Sequence, residues 1–259
     1  MTVKLHYTRS GSGPPVVLLH GLFGSANNLG ALARALQGNY CVYCVDLPNH
    51  GRSDWLDNTS LITMMDSIEH WQRSQQLTEA AFVGHSLGGK VAMQLALAHP
   101  QCVSALVVAD IAPVDYPPHH DQVFAALEAV ASDSCRSRHS AAELMATHIE
   151  EEQVIQFLLS SLRRDKDGVY RWRFNLEELY GAYAELRASP VATSPYTGPV
   201  LFIKGGASDY IREEHRARVV SLFPRADVKI MPGCGHWLHA ERPQLFNSLV
   251  MRFLDKQVA

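Results

Sequence analysis

Ala81-Phe82-Val83-Gly84-His85-Ser86-Leu87-Gly88-Gly89-Lys90-Val91-Ala92-Met93 is the stretch on which the reading of this chain turns. Its first three residues are apolar and short, as in a strand buried on both faces. From Gly89 the apolar spacing becomes helical and runs to His99. Between the two lies Gly84-x-Ser86-x-Gly88, with Gly89 behind it. A strand that turns at once into a helix holds its turn residue in a strained backbone, at about 1–3 kcal/mol. Small residues at 84 and 88 keep that turn free of side-chain clashes. Such a turn lifts the Ser86 oxygen clear of the sheet and points a helix N-terminus at it. Ser86 is therefore a candidate nucleophile; read without its context, the same pattern is a glycine-rich turn with an idle serine.

Outward from this point, strand-like and helical stretches alternate. Val16 to Leu19, Tyr40 to Val45, Ala105 to Ala109 and Val200 to Ile203 are short apolar runs. Val3 to Tyr7 and Val228 to Met231 alternate in polarity and belong near a sheet edge. Helices are expected over Leu29 to Leu36, Thr63 to Gln76, Ile211 to Leu222 and Pro243 to Phe253. The alternation predicts a mostly parallel sheet with helices on both faces. It stops after Asp110. From about Tyr116 to Arg187 the chain reads as helical, broken at Arg163-Arg164-Asp165-Lys166-Asp167-Gly168. The Ser- and Pro-rich stretch from Ser189 to Pro199 then returns it to the sheet. Residues 1–113 and 190–259 are the expected core domain and 114–189 a helical cap over the carboxyl edge of the sheet, where open α/β folds bind ligands.

Composition narrows the function classes. The 259 residues are 47% hydrophobic and 19% charged, and 23 basic against 26 acidic side chains leave a net charge of −3. A chain of this size buries roughly three quarters of its unfolded surface and needs no disulfide or metal staple. The charge balance speaks against a nucleic-acid groove or an anionic-membrane face. No stretch reaches the ~18 apolar residues of a membrane span, and Met1 to Gly13 carries no leader-like apolar run. A cytoplasmic protein with reduced thiols is expected from its five scattered cysteines. Cys41-x-x-Cys44 lies in a strand, where residues three apart face opposite ways, so it is not a metal or redox pair. No metal is expected: His236 and His239 lack the His-Glu-x-x-His of a zinc protease.

Three further pieces fit a serine nucleophile. His20-Gly21-Leu22-Phe23-Gly24 follows the apolar run Val16 to Leu19. Acyl transfer needs two backbone N–H donors for the developing oxyanion. Leu87, after the nucleophile, is one; Leu22 is the expected second, with Phe23 the other candidate. The base belongs late in the chain, and Gly233-Cys234-Gly235-His236-Trp237 places His236 on a glycine-rich loop. The acid must fall between serine and histidine. Asp110 and Asp209 both do, each at the end of a strand.

These pieces resemble the α/β-hydrolase superfamily, and within it the YbfF-type bacterial carboxylesterases. The resemblance covers nearly the whole chain. Its specific elements are His20 to Ser25 with Asn27-Asn28, Gly84 to Lys90, Asp110-Ile111-Ala112-Pro113-Val114-Asp115-Tyr116, Val154 to Leu159, Trp172 to Asn175 and Gly235 to Glu241. Asp46-Leu47-Pro48-Asn49-His50-Gly51-Arg52-Ser53 is a further family element, with a structural role in a tight turn. The resemblance implies a mostly parallel eight-stranded sheet with a small helical cap inserted after strand 6. In the subgroup the acid follows the sixth strand, which maps to Asp110, and a serine at the position of Ser208 sits near the histidine. The wider family more often places its acid after the seventh strand, which maps to Asp209. Asp110 is favoured, with Asp209 as competitor and Ser208 as an auxiliary.

The implied activity is hydrolysis of short to medium acyl esters, with acyl thioesters a further substrate class, and no cofactor. A methyl-esterase of a metabolite or a carbon–carbon bond hydrolase would use the same triad. A catalytically idle binding protein would lack one of its members. Phe23, Phe124, Phe157, Trp172 and Trp237 are candidates to line an apolar substrate pocket. Arg163, Arg164, Arg171 and Arg173 read as a solvated surface, the alternative being contact with an anionic group such as a coenzyme A phosphate. A small-molecule ester is the expected partner, and the pattern selects neither a monomer nor a homodimer.

Overall fold

A computed structural model describes residues 3–257. Seven strands form one sheet: β1 (Tyr7–Ser10), β2 (Pro15–Leu19), β3 (Cys41–Val45), β4 (Ala80–His85), β5 (Val103–Ala109), β8 (Val200–Gly205) and β9 (Ala226–Met231). Their order across the sheet is β1-β3-β2-β4-β5-β8-β9. All neighbours are parallel except β1, which runs antiparallel to β3. The central strands are buried along their whole length because helices cover both faces.

Alternate residues divide between the two faces. Val17, Leu19 and Phe82 pack with α2 (Leu61–Ser74) and α3 (Leu87–Ala98). Val16, Leu18 and Val83 pack with α1 (Gly30–Leu36) and the last helix, Pro243–Gln257. Cys41 belongs to the first cluster and Cys44 to the second, so the two sulfurs diverge.

Two expectations are corrected. Among the described residues the main sheet has seven strands rather than eight, so the insertion follows the fifth strand in the chain rather than the sixth. The difference lies at the amino end. Strand β1 begins only at Tyr7, and the residues ahead of it make single bonds to the 46–54 loop instead of a ladder. Lys4 O accepts from Asp54 N at 3.0 Å, His6 O from Asp46 N at 2.9 Å, and His6 N donates to Ser53 Oγ at 2.9 Å.

Between β5 and β8 the chain carries α4 (Asp121–Asp133), α5 (Arg138–Ala146), α6 (Glu152–Leu159), α7 (Leu176–Gly181) and α8 (Tyr183–Arg187). The break at 163–168 is the turn of a hairpin, β6 (Leu162–Arg164) with β7 (Tyr170–Trp172), not a loop between helices. Both ends of this segment meet at one buried cation. Lys90 Nζ donates to Val114 O at 2.8 Å, to Arg187 O at 2.6 Å and to Ala188 O. Burial lowers its pKa to about 7. Among the described residues no helix is long and apolar enough to cross a membrane.

Candidate active site

Ser86 stands between β4 and α3 with φ 51° and ψ −118°, a region that side-chain-bearing residues avoid. The turn is closed by backbone contact on both sides. A Cβ on Gly84 would lie 2.3 Å from Gly88 O, and one on Gly88 would lie 2.3 Å from Leu19 O. Glycine at 84 and 88 is therefore a steric requirement. Ser86 N donates to Ala109 O at 3.0 Å, tying the turn to the end of β5.

Asp110 follows that same strand end. It is fully buried and also holds a positive φ, 51°. His236 Nδ1 donates to Asp110 Oδ2 at 2.8 Å. The carboxylate accepts two more bonds, from Gly205 N at 2.9 Å and from Ser208 Oγ. Ser208 thus meets Asp110 directly. Asp209 is exposed and lines a different depression with Tyr116, Pro117 and Arg212. The carboxylate brought to His236 is that of Asp110. With Nδ1 committed as donor, Nε2 is the imidazole nitrogen left to accept a proton.

The His236 loop is held by residues that patterning did not single out. His85 Nε2 donates to His236 O at 2.9 Å. Burial, with His239 and His236 beside it, keeps His85 neutral by pushing its pKa well down. The Tyr210 ring stacks on His236, centroids 3.9 Å apart and planes 20° from parallel. Tyr210 OH meets His119 Nε2 at 2.6 Å. Glu241 accepts Gly235 N through both carboxylate oxygens, at 2.9 and 3.1 Å. A histidine inside Gly-x-Ser-x-Gly was the one available signal for His85; nothing local marks Tyr210.

Two buried histidines pin the Gly21–Phe23 loop. His20 Nδ1 donates to Gly21 O at 2.8 Å while Nε2 accepts from Leu47 N at 3.0 Å. His50 Nδ1 donates to Pro48 O at 2.8 Å while Nε2 accepts from Phe23 N at 3.1 Å. Burial holds both in the neutral form this pattern needs, His50 down at about 3. The Phe23 N–H is consequently spent on His50, whereas no acceptor among the described residues takes Leu22 N–H or Leu87 N–H. The 46–53 turn braces the same region: Asp46 accepts from Ala26 N at 2.6 Å and from Arg52 N at 3.0 Å.

A chamber of about 220 Å³ opens on Ser86 and His236. Gly21, Leu22 and Phe23 form its core side; Val123, Ile149, Val154, Phe157 and Leu158 face them from the inserted segment, with Trp237 beside His236. His119 and His120 also line it. Of the apolar candidates, Phe23, Phe157 and Trp237 reach the chamber. Phe124 does not: it is buried behind Phe23, ring centroids 5.4 Å apart. Trp172 does not either. It stacks on Phe174 and borders a separate depression with Arg52, Trp55, Arg163 and Arg173. Among the described residues no group of three or more His, Cys, Asp or Glu side chains is placed to hold a metal ion.

A strand-end serine on a strained turn, with a carboxylate-bound histidine at the same chamber, is the arrangement of a hydrolase. The chain belongs to the alpha/beta hydrolase family, whose model matches residues 16–249. It is 40% identical to Esterase YbfF of Escherichia coli (strain K12), over 93% of each chain. It is 36% identical to the sn-1-specific diacylglycerol lipase ABHD11 of Mus musculus, over 93% of this chain and 81% of that one. A solved structure described as a marine microorganism esterase superposes with a TM-score of 0.94 at 35% identity, over 98% of this chain and 100% of that one.

Proposed function

We propose that this hydrolase cleaves carboxylic esters of short to medium acyl chains through a Ser86–His236–Asp110 triad and an acyl-enzyme. Support comes from the esterase and lipase relatives and, above all, from the Asp110–His236 bond at the chamber that holds Ser86. His236 takes the Ser86 proton as the oxygen attacks the ester carbonyl, then gives it to the departing alcohol. Asp110 keeps Nδ1 protonated and stabilises the imidazolium. Leu22 N–H and Leu87 N–H receive the oxyanion; loss of one such donor typically costs about 2.7–4 kcal/mol in the transition state. Water then cleaves the acyl-enzyme with His236 again as base. Thioesters fit the same sequence of steps, with a thiol leaving.

In this reading residues 114–189 are a cap and 1–113 with 190–259 the catalytic core. The Lys90 clasp on Val114, Arg187 and Ala188 supports that boundary. The 220 Å³ chamber, to which the cap contributes Val123, Ile149, Val154, Phe157 and Leu158 beside the polar His119, His120, Gln122 and Glu151, suits an acyl chain of a few carbons.

The test is hydrolysis of p-nitrophenyl esters of increasing chain length, with Ser86→Ala alongside. The expected result is measurable turnover that the variant lowers by about six orders of magnitude or to background. Folded wild-type protein that turns over no ester of the series would overturn the proposal.

A further inference from the structure

The depression that Trp172 borders is a second built site, of about 390 Å³, lined by Gly51, Arg52, Ser53, Trp55, Arg163, Trp172 and Arg173. Three guanidinium groups and no carboxylate line it, on a protein whose net charge is −3. The arginines of this region are not equivalent. Arg171 lies outside the depression and is neutralised, Nη1 on Asp165 and Nη2 on Asp167, each at 2.7 Å. Arg163 is paired with Asp165 at 2.9 Å. Arg173 has no acidic partner among the described residues, and its Nε is buried without an acceptor. Arg52 spends its backbone N–H on Asp46 while its side chain makes no ion pair among the described residues. The neighbouring Asp54 is turned to the backbone N–H of Lys4 at 3.3 Å.

Arg52 and Arg173 carry like charges that repel, with no carboxylate partner of their own among the described residues, and a buried N–H without an acceptor, the Arg173 Nε–H, is costly. Both penalties vanish when an oxyanion with several acceptor atoms enters. The planar, forked guanidinium suits a phosphate group best. Trp55 adds a second requirement. It is 60% exposed at the rim, a large flat ring held at the edge of a cationic hollow. A phosphate carried on an aromatic base uses both features, the anion on the arginines and the base on the indole.

We infer that this depression binds the phosphate of a nucleotide, held by Arg52, Arg163 and Arg173, with its base against Trp55. The site stands apart from the ester-cleaving proposal, since none of its lining residues belongs to the Ser86 chamber. A packed path nonetheless joins the two: Trp172 stacks on Phe174 at 5.2 Å, and Phe174 meets Phe23 at 5.1 Å.

The experiment is titration of the whole protein with adenosine monophosphate, inorganic phosphate and adenosine at low salt, by calorimetry and tryptophan fluorescence. Saturable binding of the nucleotide is expected, with inorganic phosphate at least about tenfold weaker and adenosine without measurable binding. Arg173→Gln and Arg52→Gln should each weaken nucleotide binding about tenfold or more, and Arg171→Gln should leave it unchanged. Trp55→Ala should remove the advantage of the nucleotide over inorganic phosphate. Unchanged thermal midpoints would show that the variants remain folded. Absence of saturable nucleotide binding overturns the inference, as does binding indifferent to Arg52→Gln and Arg173→Gln. Equal binding of phosphate and nucleotide overturns the assignment of the base to Trp55. Ester turnover, measured in parallel, decides the triad separately.

Discussion

The strand ends around Ser86 and the inserted segment above them are built on different physics. Phe23, Asn49, Ser86 and Asp110 all hold positive φ and all lie in the strand-end loops; within the inserted segment Ser134 is the one non-glycine residue that does so among the described residues. Strain of this kind persists only where surrounding bonds over-determine the backbone. The strand ends supply those bonds through buried imidazoles: His20, His50 and His85 each link two loops. The inserted segment presents Val123, Ile149, Val154, Phe157 and Leu158 to the chamber, apolar contacts without directional constraint, beside the polar His119, His120, Gln122 and Glu151, of which His119 Nε2 meets Tyr210 OH at 2.6 Å. One region is fixed by directional hydrogen bonds; the apolar wall of the other can change its contour at little cost to the frame.

The sharpest way to break this contrast is at the acid. Asp110→Asn should lower kcat by about 10⁴-fold, because the amide no longer fixes the histidine tautomer, while Asp209→Asn should change it little. Steady-state kinetics on the two variants decides the matter, and the opposite ranking would move the triad to Asp209.

The junction between the regions comes next. Lys90→Met leaves the Val114, Arg187 and Ala188 carbonyls without their buried donor and should destabilise the protein by roughly 3 kcal/mol, read from urea unfolding. A loss below about 1 kcal/mol would show that the clasp does not hold the segment in place.

Acid should attack the strand-end frame. His50 and His239 are held neutral by burial, at about 3 and about 4. Unfolded imidazoles bind protons below about 6.5 whereas these do not until those lower values. The unfolded state therefore gains protons first, and stability falls as pH drops from 6.5 toward 4. The loss should be on the order of 1 kcal/mol per histidine between pH 6.5 and 5.5. Equal unfolding free energies at pH 7.5 and 5.5 would mean that these rings accept protons in the folded state.

The smallest effect belongs to the inserted segment. Phe157→Ala should shift preference toward longer acyl chains by several-fold in kcat/KM, with little change in stability, since one partly exposed ring is removed from the chamber wall. A uniform loss across all chain lengths would place Phe157 in the frame rather than in the pocket.

Much of this architecture is legible before any coordinates. A strand covered on both faces must be apolar throughout, so Val16 to Leu19 and Ala105 to Ala109 announce themselves. The turn at Ser86 is legible for a steric reason, since backbone fills the space that a Cβ at 84 or 88 would need. The hairpin of Leu162–Arg164 and Tyr170–Trp172 is not, because strands of three residues with arginine inside carry no usable period. Trp172 shows the same limit from another side: an aromatic residue in the right segment says nothing of which cavity it borders.

By itself the sequence determined a mostly parallel sheet with helices on both faces, a serine raised on a strained turn and a histidine on a late loop. Each follows from local rules of burial, period and steric space. Only the tertiary structure decided that Asp110 rather than Asp209 meets His236, and that Phe23 N–H is spent on His50 while Leu22 N–H is not. It also decided that Arg52 joins Arg163 and Arg173 around one hollow. Those outcomes depend on which strand end lies beside which, across 126 residues in the case of Asp110 and His236. Such contacts are set by strand order and packing, which no local pattern carries.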